Sequence, residues 1–190
     1  VSLYSKIPYD PLKDFTPIVN IAYSTSVLVV HPSVQAKNIA ELIALAKAKP
    51  GEMRYASAGG GSSPHLSAEV FKLMAGVNVV HVPYKGSTPG VTATVAGETA
   101  MMFTGIASAL GHIRGGRLRA LSVNGPKRSP ALPDVPTASD SGLPGFEVDF
   151  WIGMLGPARM DPAVVNKINA EVNRILLLDD IKDRLVALGT

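Results

Sequence analysis

The chain has 190 residues, 46% hydrophobic and 17% charged, enough apolar material for a packed core in one domain or two small lobes, which excludes wholesale disorder. The formal charge is only +3, with Lys127-Arg128 as the single adjacent basic pair, so no nucleic-acid footprint stands out. There is no cysteine, which excludes disulfides, thiolate catalysis and cysteine zinc sites.

No apolar run approaches the roughly 18–20 residues that a membrane span needs. The first residues show no basic stretch followed by an apolar one. Val1-Ser2-Leu3 lacks a Met, so the sequence is expected to start within a longer protein or after processing. Residues 1–17, with "YSKIPYDPLKDFTP", read as a loop-rich lead-in. "IVNIAYSTSVLVVHP" then predicts a strand that ends before Pro32. Asn38 with Glu41 forms a capping box. The helix it opens carries Ile39, Leu42, Ile43 and Ala46 on one face and stops at Pro50-Gly51.

The alternation repeats along the chain. Short strands are expected at 53–57, 77–82, 99–104 and 117–124, and helices at 63–75, from about Pro89 to Ala96, and at 106–114. This rhythm with short links predicts an α/β fold with a largely parallel sheet. Residues 125–145 hold five of the 15 prolines and read as an extended crossing segment. "FEVDFWIGMLG" follows as a strand; Phe150 and Trp151 end it, and either is expected to reach the cleft or, as the commoner fate, to pack in a core. One helix then starts at Asp161-Pro162, with Val164, Val165, Ile168, Val172 and Ile175 on one face, and a last one runs from about Asp180 to Leu188, stopped by Gly189. The expected lobes are 27–122, complete, and 1–26 with 123–190, incomplete.

"YASAGGGSSPHLSAEVFKLMAG" (55–76) joins a glycine-rich turn to a helix start. Glycine allows close approach and positive φ. Ser62 or Ser63 is expected to cap the helix, and Pro64 suits its first turn. The first-turn N–H groups then offer a site for a carboxylate or phosphate. The phosphate-loop Lys is missing before Ser62, Pro64 breaks a dinucleotide fingerprint, and no G-x-S-x-G elbow is present. Plain helix capping and catalysis stay open beside anion binding. "PYKGSTPGV" builds a second corner, with Ser87 or Thr88 as cap, Pro89 in the first turn and Lys85 as a nearby cation. His31, His65, His81 and His112 lack metal-ligand spacing, and no metal or cofactor is expected. His65 is placed to orient the glycine loop or merely to bond a neighbour; His81, inside a strand, is expected to be structural.

Several segments together resemble the extracytoplasmic receptors of tripartite tricarboxylate transporters, the TctC or Bug family. They are "LYSKIPYDPLKDFTPI", the 55–76 segment, "VVHVPYKGSTPGV", "GHIRGGRLRALSV", "KRSPALPDVPTASDSGLPGFEV" and "INAEVNRIL". The resemblance implies a type II periplasmic binding protein: two α/β lobes, two crossing strands as a hinge, and a first lobe incomplete in this chain. It implies a periplasmic, monomeric solute receptor without enzymatic activity, which binds a small organic acid and docks on membrane permease subunits. It places Ala58, Gly59, Gly60, Gly61, Ser62 and Ser63, with Tyr84, Lys85, Gly86 and Ser87, at the ligand; His65, beside that loop, is expected there from its position in the chain. Many relatives carry an Asp where Thr104 stands, so the resemblance implies simple carboxylates here more than amino acids. Two other functions fit the residues less well: a serine hydrolase using Ser62 or Ser63 with His65, and a ligand-sensing module for signalling.

Overall fold

The structure is a computed structural model that describes residues 6–187. The first five residues of the lead-in and the expected stop at Gly189 lie outside the described residues. Six strands and six helices run in the order β1 (Phe15–Val30), α1 (Ile39–Ala48), β2 (Arg54–Ser57), α2 (Ser63–Ala75), β3 (Val80–Pro83), α3 (Ser87–Val95), β4 (Met101–Gly105), α4 (Ile106–Arg114), β5 (Arg119–Val123), β6 (Asp149–Pro157), α5 (Pro162–Leu176) and α6 (Asp179–Ala187). The chain forms two compact units. One is Ser24–Phe150; the other takes the described residues 6–23 and 151–187. Strands β1 and β6 each run from one unit into the other.

In the larger unit the strand order is β3-β2-β4-β1-β5. β2 pairs parallel with β3 and β4, whereas β1 is antiparallel to β4 and β5. Four of the five strands therefore share one direction, and β1 alone opposes them. Ser26 to Val30 of β1 are buried, because both faces of this central strand are covered. That is why "VLVV" is continuously apolar rather than alternating. The period-2 pleat still sorts it. Leu28 and Val30 join Ile39, Leu42, Tyr55, Phe71 and Phe103 on the α1 and α2 face. Val27 and Val29 join Val91, Met102, Ile106 and Ala109 on the α3 and α4 face. The result is a three-layer α/β/α unit.

The division at 23/24 and 150/151 differs from the lobe limits expected at 26/27 and 122/123. Hydrogen bonds explain the later limit. Val123 N donates to Pro136 O at 2.9 Å, Ala138 N to Val123 O at 2.9 Å, and Val148 N to Asn124 O at 2.7 Å. Phe146 then packs into the core edge-on to Phe71 and tilted against Phe103, ring centroids 6.3 and 5.6 Å away. The proline-rich stretch is thus laid onto the larger unit instead of leaving it.

In the smaller unit β6 pairs with β1. Thr16 Oγ1 donates to Pro157 O at 2.9 Å, and Asn169 Nδ2 of α5 to Ile18 O at 2.7 Å. Trp151, for which core and cleft were both open, is 62% exposed, and no residue of α5 is buried despite its apolar stripe.

Candidate functional site

Parallel pairing puts the C-terminal ends of β2, β3 and β4 along one edge of the larger unit's sheet. Helices α2, α3 and α4 each start there. All three lack a side-chain cap; their N-cap residues are Ser62, Gly86 and Gly105. Two other helices, α1 and α5, are capped by side chains. Asn38 Oδ1 accepts from Glu41 N at 2.9 Å at the start of α1, and Asp161 Oδ1 accepts from Ala163 N at 2.8 Å at the start of α5. The expectation that Ser62 or Ser63, and Ser87 or Thr88, cap their helices is therefore corrected. Ser62 spends its hydroxyl on Gly59 O at 2.7 Å. α3 begins two residues earlier than expected, with Gly86 outside it and Ser87 as its first residue. The positive ends of three helix dipoles are left open at one edge.

The two glycine corners form one structure. Tyr84 N donates to Ser57 O at 3.1 Å, and Gly86 N to Ala58 O at 3.2 Å. Gly59 lies at φ 120°, and a Cβ there would stand 3.3 Å from Tyr84 O. Glycine is required at this position because the β2–α2 turn passes directly under the β3–α3 turn. Gly60 has open space around it. Ala58 and Gly61 are half-buried; Ser63 and Lys85 are exposed. Lys85 has no acidic partner among the described residues. Tyr84 turns its hydroxyl away to Glu98 Oε2, 3.3 Å distant. Burial and that carboxylate raise the phenol above its ordinary value, so Tyr84 contributes backbone rather than an acid to this edge.

Thr104 lies at the same edge on β4 but is fully buried, with Oγ1 unpartnered. Pairing with Val27 of the central strand accounts for the burial. The structure brings Ala58 to Ser63 and Tyr84 to Ser87 together at the surface; it keeps Thr104 beneath it.

Behind the glycine loop lies a side-chain network that the sequence did not reveal as one unit. His65 Nδ1 accepts from Gly61 N at 3.1 Å. The His65 ring stacks on His81 at 4.2 Å, and His81 stacks on Tyr55 at 4.9 Å. His81 Nε2 is 2.6 Å from Ser57 Oγ, which accepts from Gly59 N at 3.0 Å. Tyr55 donates to Glu69 Oε1 at 2.6 Å, and Lys72 binds the same carboxylate at 2.8 Å. Burial holds the His81 imidazole below its ordinary value; the His65 charge acts in the same sense, against the pull of Glu69. Burial pushes the Glu69 carboxyl up, but hydrogen bonds from Lys72 and Tyr55 outweigh it and leave it lowered. Burial, reinforced by Glu69, raises Tyr55. The one signal in the sequence was polar Ser57 and His81 inside short apolar strands; their pairing across 24 positions is a product of β2–β3 register.

Among the described residues no hydrogen bond joins Ser62 or Ser63 to His65. His65 Nδ1 is taken by Gly61, and Ser62 Oγ by Gly59 O. Ser57, which does meet a histidine, is fully buried, and no carboxylate is hydrogen-bonded to His81 to complete a triad among the described residues. No group of three metal-ligating side chains occurs among the described residues.

Comparison with known proteins identifies the family. The family model described as the tripartite tricarboxylate transporter family receptor matches residues 2–189. Protein BugT of Bordetella pertussis is 34% identical over 189 residues, covering 100% of this chain and 58% of BugT. An adipate-bound protein of R. palustris superposes with TM-score 0.92 at 33% identity, over 98% of this chain and 62% of that one. MatC of Rhodopseudomonas palustris with bound malate gives TM-score 0.91 at 32% identity, over 99% and 64%. The periplasmic binding protein BugD gives TM-score 0.89 at 30% identity, over 99% and 63%. The chain thus spans less than two thirds of the length of these relatives. With a model match over almost every residue and a periplasmic-binding-protein fold, this chain belongs to the tripartite tricarboxylate transporter receptor family.

Proposed function

We propose that the edge formed by the starts of α2, α3 and α4 is the ligand-holding face of an extracytoplasmic receptor for a small organic carboxylate, delivered to the permease subunits of a tripartite tricarboxylate transporter. One observation carries this reading. The side-chain caps present on α1 and α5 are missing from all three helices at this edge. Each open N-terminus favours an anion by about 0.3–1 kcal/mol when exposed and up to ~2 kcal/mol when partly buried. A carboxylate therefore replaces the missing caps. Exposed Ser63 and Lys85 and half-buried Ser87 add polar partners around it. Adipate and malate, bound by two relatives, set the size class. The rest of the receptor then closes over the anion by a hinge motion.

Calorimetric titration of the full-length receptor against di- and tricarboxylates checks the reading. Saturable binding by at least one acid, weakened several-fold in Ser87→Ala or Lys85→Ala, is expected. Heat with sugars or cations and with none of the acids refutes it.

A further inference from the structure

We propose that His65 is a positioning residue that works as an acid-sensitive latch on the ligand loop: proton uptake by its ring releases Gly61 and loosens the receptor's hold on its anion. This rests on the carboxylate reading of the loop. The argument starts from one hydrogen bond. Gly61 N–H points at His65 Nδ1, 3.1 Å away. Only a lone pair accepts that proton, so the ring must be the neutral Nε2–H tautomer. Its Nε2 lies 3.9 Å from Glu69 Oε1. A second proton can go only to Nδ1. Two N–H donors then face each other, and the Gly61 bond is lost with nothing to replace it.

The neighbouring histidine behaves differently, which localises the switch. His81 Nε2 meets Ser57 Oγ, and that hydroxyl is also within reach of Gly59 N and Gly59 O. While His81 is neutral, Ser57 gives it a proton and accepts from Gly59 N. When His81 is charged, the ring donates and Ser57 turns its proton to Gly59 O. The hydroxyl rotor keeps all its bonds in either state. His65 has no such rotor between itself and the loop.

The groups facing His65 are Glu69 and Lys72 on its own helix, His81 on β3, and Tyr55 on β2 beyond His81. Glu69 is the acidic group nearest the ring, Lys72 is held on that carboxylate, His81 stacks on the ring, and Tyr55 fixes Glu69. A charged His65 adds a cation near an anion site, which by itself strengthens binding. That gain is offset at short range by Glu69, whereas the lost Gly61 bond falls on the loop itself. A net weakening of about 3- to 10-fold follows from the worth of one hydrogen bond.

The test begins without ligand. In the 15N-labelled full-length receptor, the Gly61 amide and the His65 ring nitrogens are followed over roughly pH 5 to 8, where histidines change charge. Expected are an Nε2–H ring at the alkaline end and a Gly61 amide that shifts along the His65 titration curve. His65→Asn places an oxygen near the position of Nδ1 and cannot titrate, so its Gly61 amide stays bonded and flat; His65→Ala leaves that amide open to exchange at every pH. Adipate titrations at both ends of the range give the second readout. Affinity falls more steeply toward acid in the unmodified protein than in His65→Asn. The latch is overturned by a Gly61 amide indifferent to His65, by tighter binding in acid, or by a His65→Asn slope equal to the unmodified one. Absence of binding by every di- and tricarboxylate at every pH, with Gly61 still following His65, refutes the carboxylate reading and supports the latch as a device of the loop.

Discussion

Gly59 and Gly60 are neighbours of the same type, yet their roles differ. Gly59 sits at φ 120° with Tyr84 O only 3.3 Å from where a Cβ would be; around Gly60 nothing lies within 4 Å. Gly59→Ala is expected to cost about 1–3 kcal/mol of stability, because both backbone strain and a close contact oppose it. Gly60→Ala is expected to stay within about 0.5 kcal/mol of the parent. Urea unfolding of the two variants checks the contrast, and equal losses would show that the turn is not pressed under Tyr84. His81 supplies a second residue-scale prediction. Its folded imidazole is depressed by burial and by His65, so the unfolded chain binds the proton more readily. Stability is full above the ordinary value of 6.5 and declines as the pH falls from there toward the folded value. His81→Gln keeps a partner for Ser57 without titrating. Its urea midpoint is expected to change less than the parent's between roughly pH 8 and 5.5.

At the scale of the element, capping divides the helices into two kinds. α1 depends on its cap: Asn38 accepts from Glu41 N, and the Glu41 carboxylate accepts from Lys37 N at 2.7 Å. Asn38→Ala is expected to cost ~1 kcal/mol. Ser63→Ala, at the start of α2, removes no cap and is expected to cost well under 0.5 kcal/mol. Parallel chemical denaturation of both separates a structural helix start from one kept open for a ligand. This difference also marks how far the elements were legible. α4 and the bounds of α2 stand where glycine, proline and apolar spacing put them. The caps of α2 and α3 did not, because a serine near a helix start has competing acceptors, and Ser62 chose Gly59 O. β1 was legible from Ile18 but begins at Phe15; Pro17 within it reads locally as a stop. The glycine corners were legible as a pair, since each carries its own turn chemistry. Their mutual hydrogen bonds, and the His65–His81–Ser57 stack behind them, depend on strand register, which no local pattern displays.

For the whole molecule, the proline-rich segment decides where one unit ends. Its prolines suggested an extended crossing segment, yet Leu132, Ala138, Leu143 and Phe146 lie along it and are buried. That spacing of apolar residues was the available sign that the segment lies against a core. Phe146 fills the space between Phe71 of α2 and Phe103 of β4, so it ties the segment to the helix that carries the ligand loop. Phe146→Ala is expected to cost about 3–5 kcal/mol, the usual penalty for emptying a buried aromatic site. The loss should be local to Ser24–Phe150. The smaller unit has hydrogen bonds of its own, from Thr16 to Pro157, Ala158 to Asp14 and Asn169 to Ile18. Hydrogen exchange resolved by peptide therefore is expected to show faster exchange in α2, β4 and the buried half of β1, with α5 unchanged. A variant that accelerates α5 equally would mean that the two compact units unfold as one body, and that Phe146 stabilises the entire chain rather than the unit bearing the site.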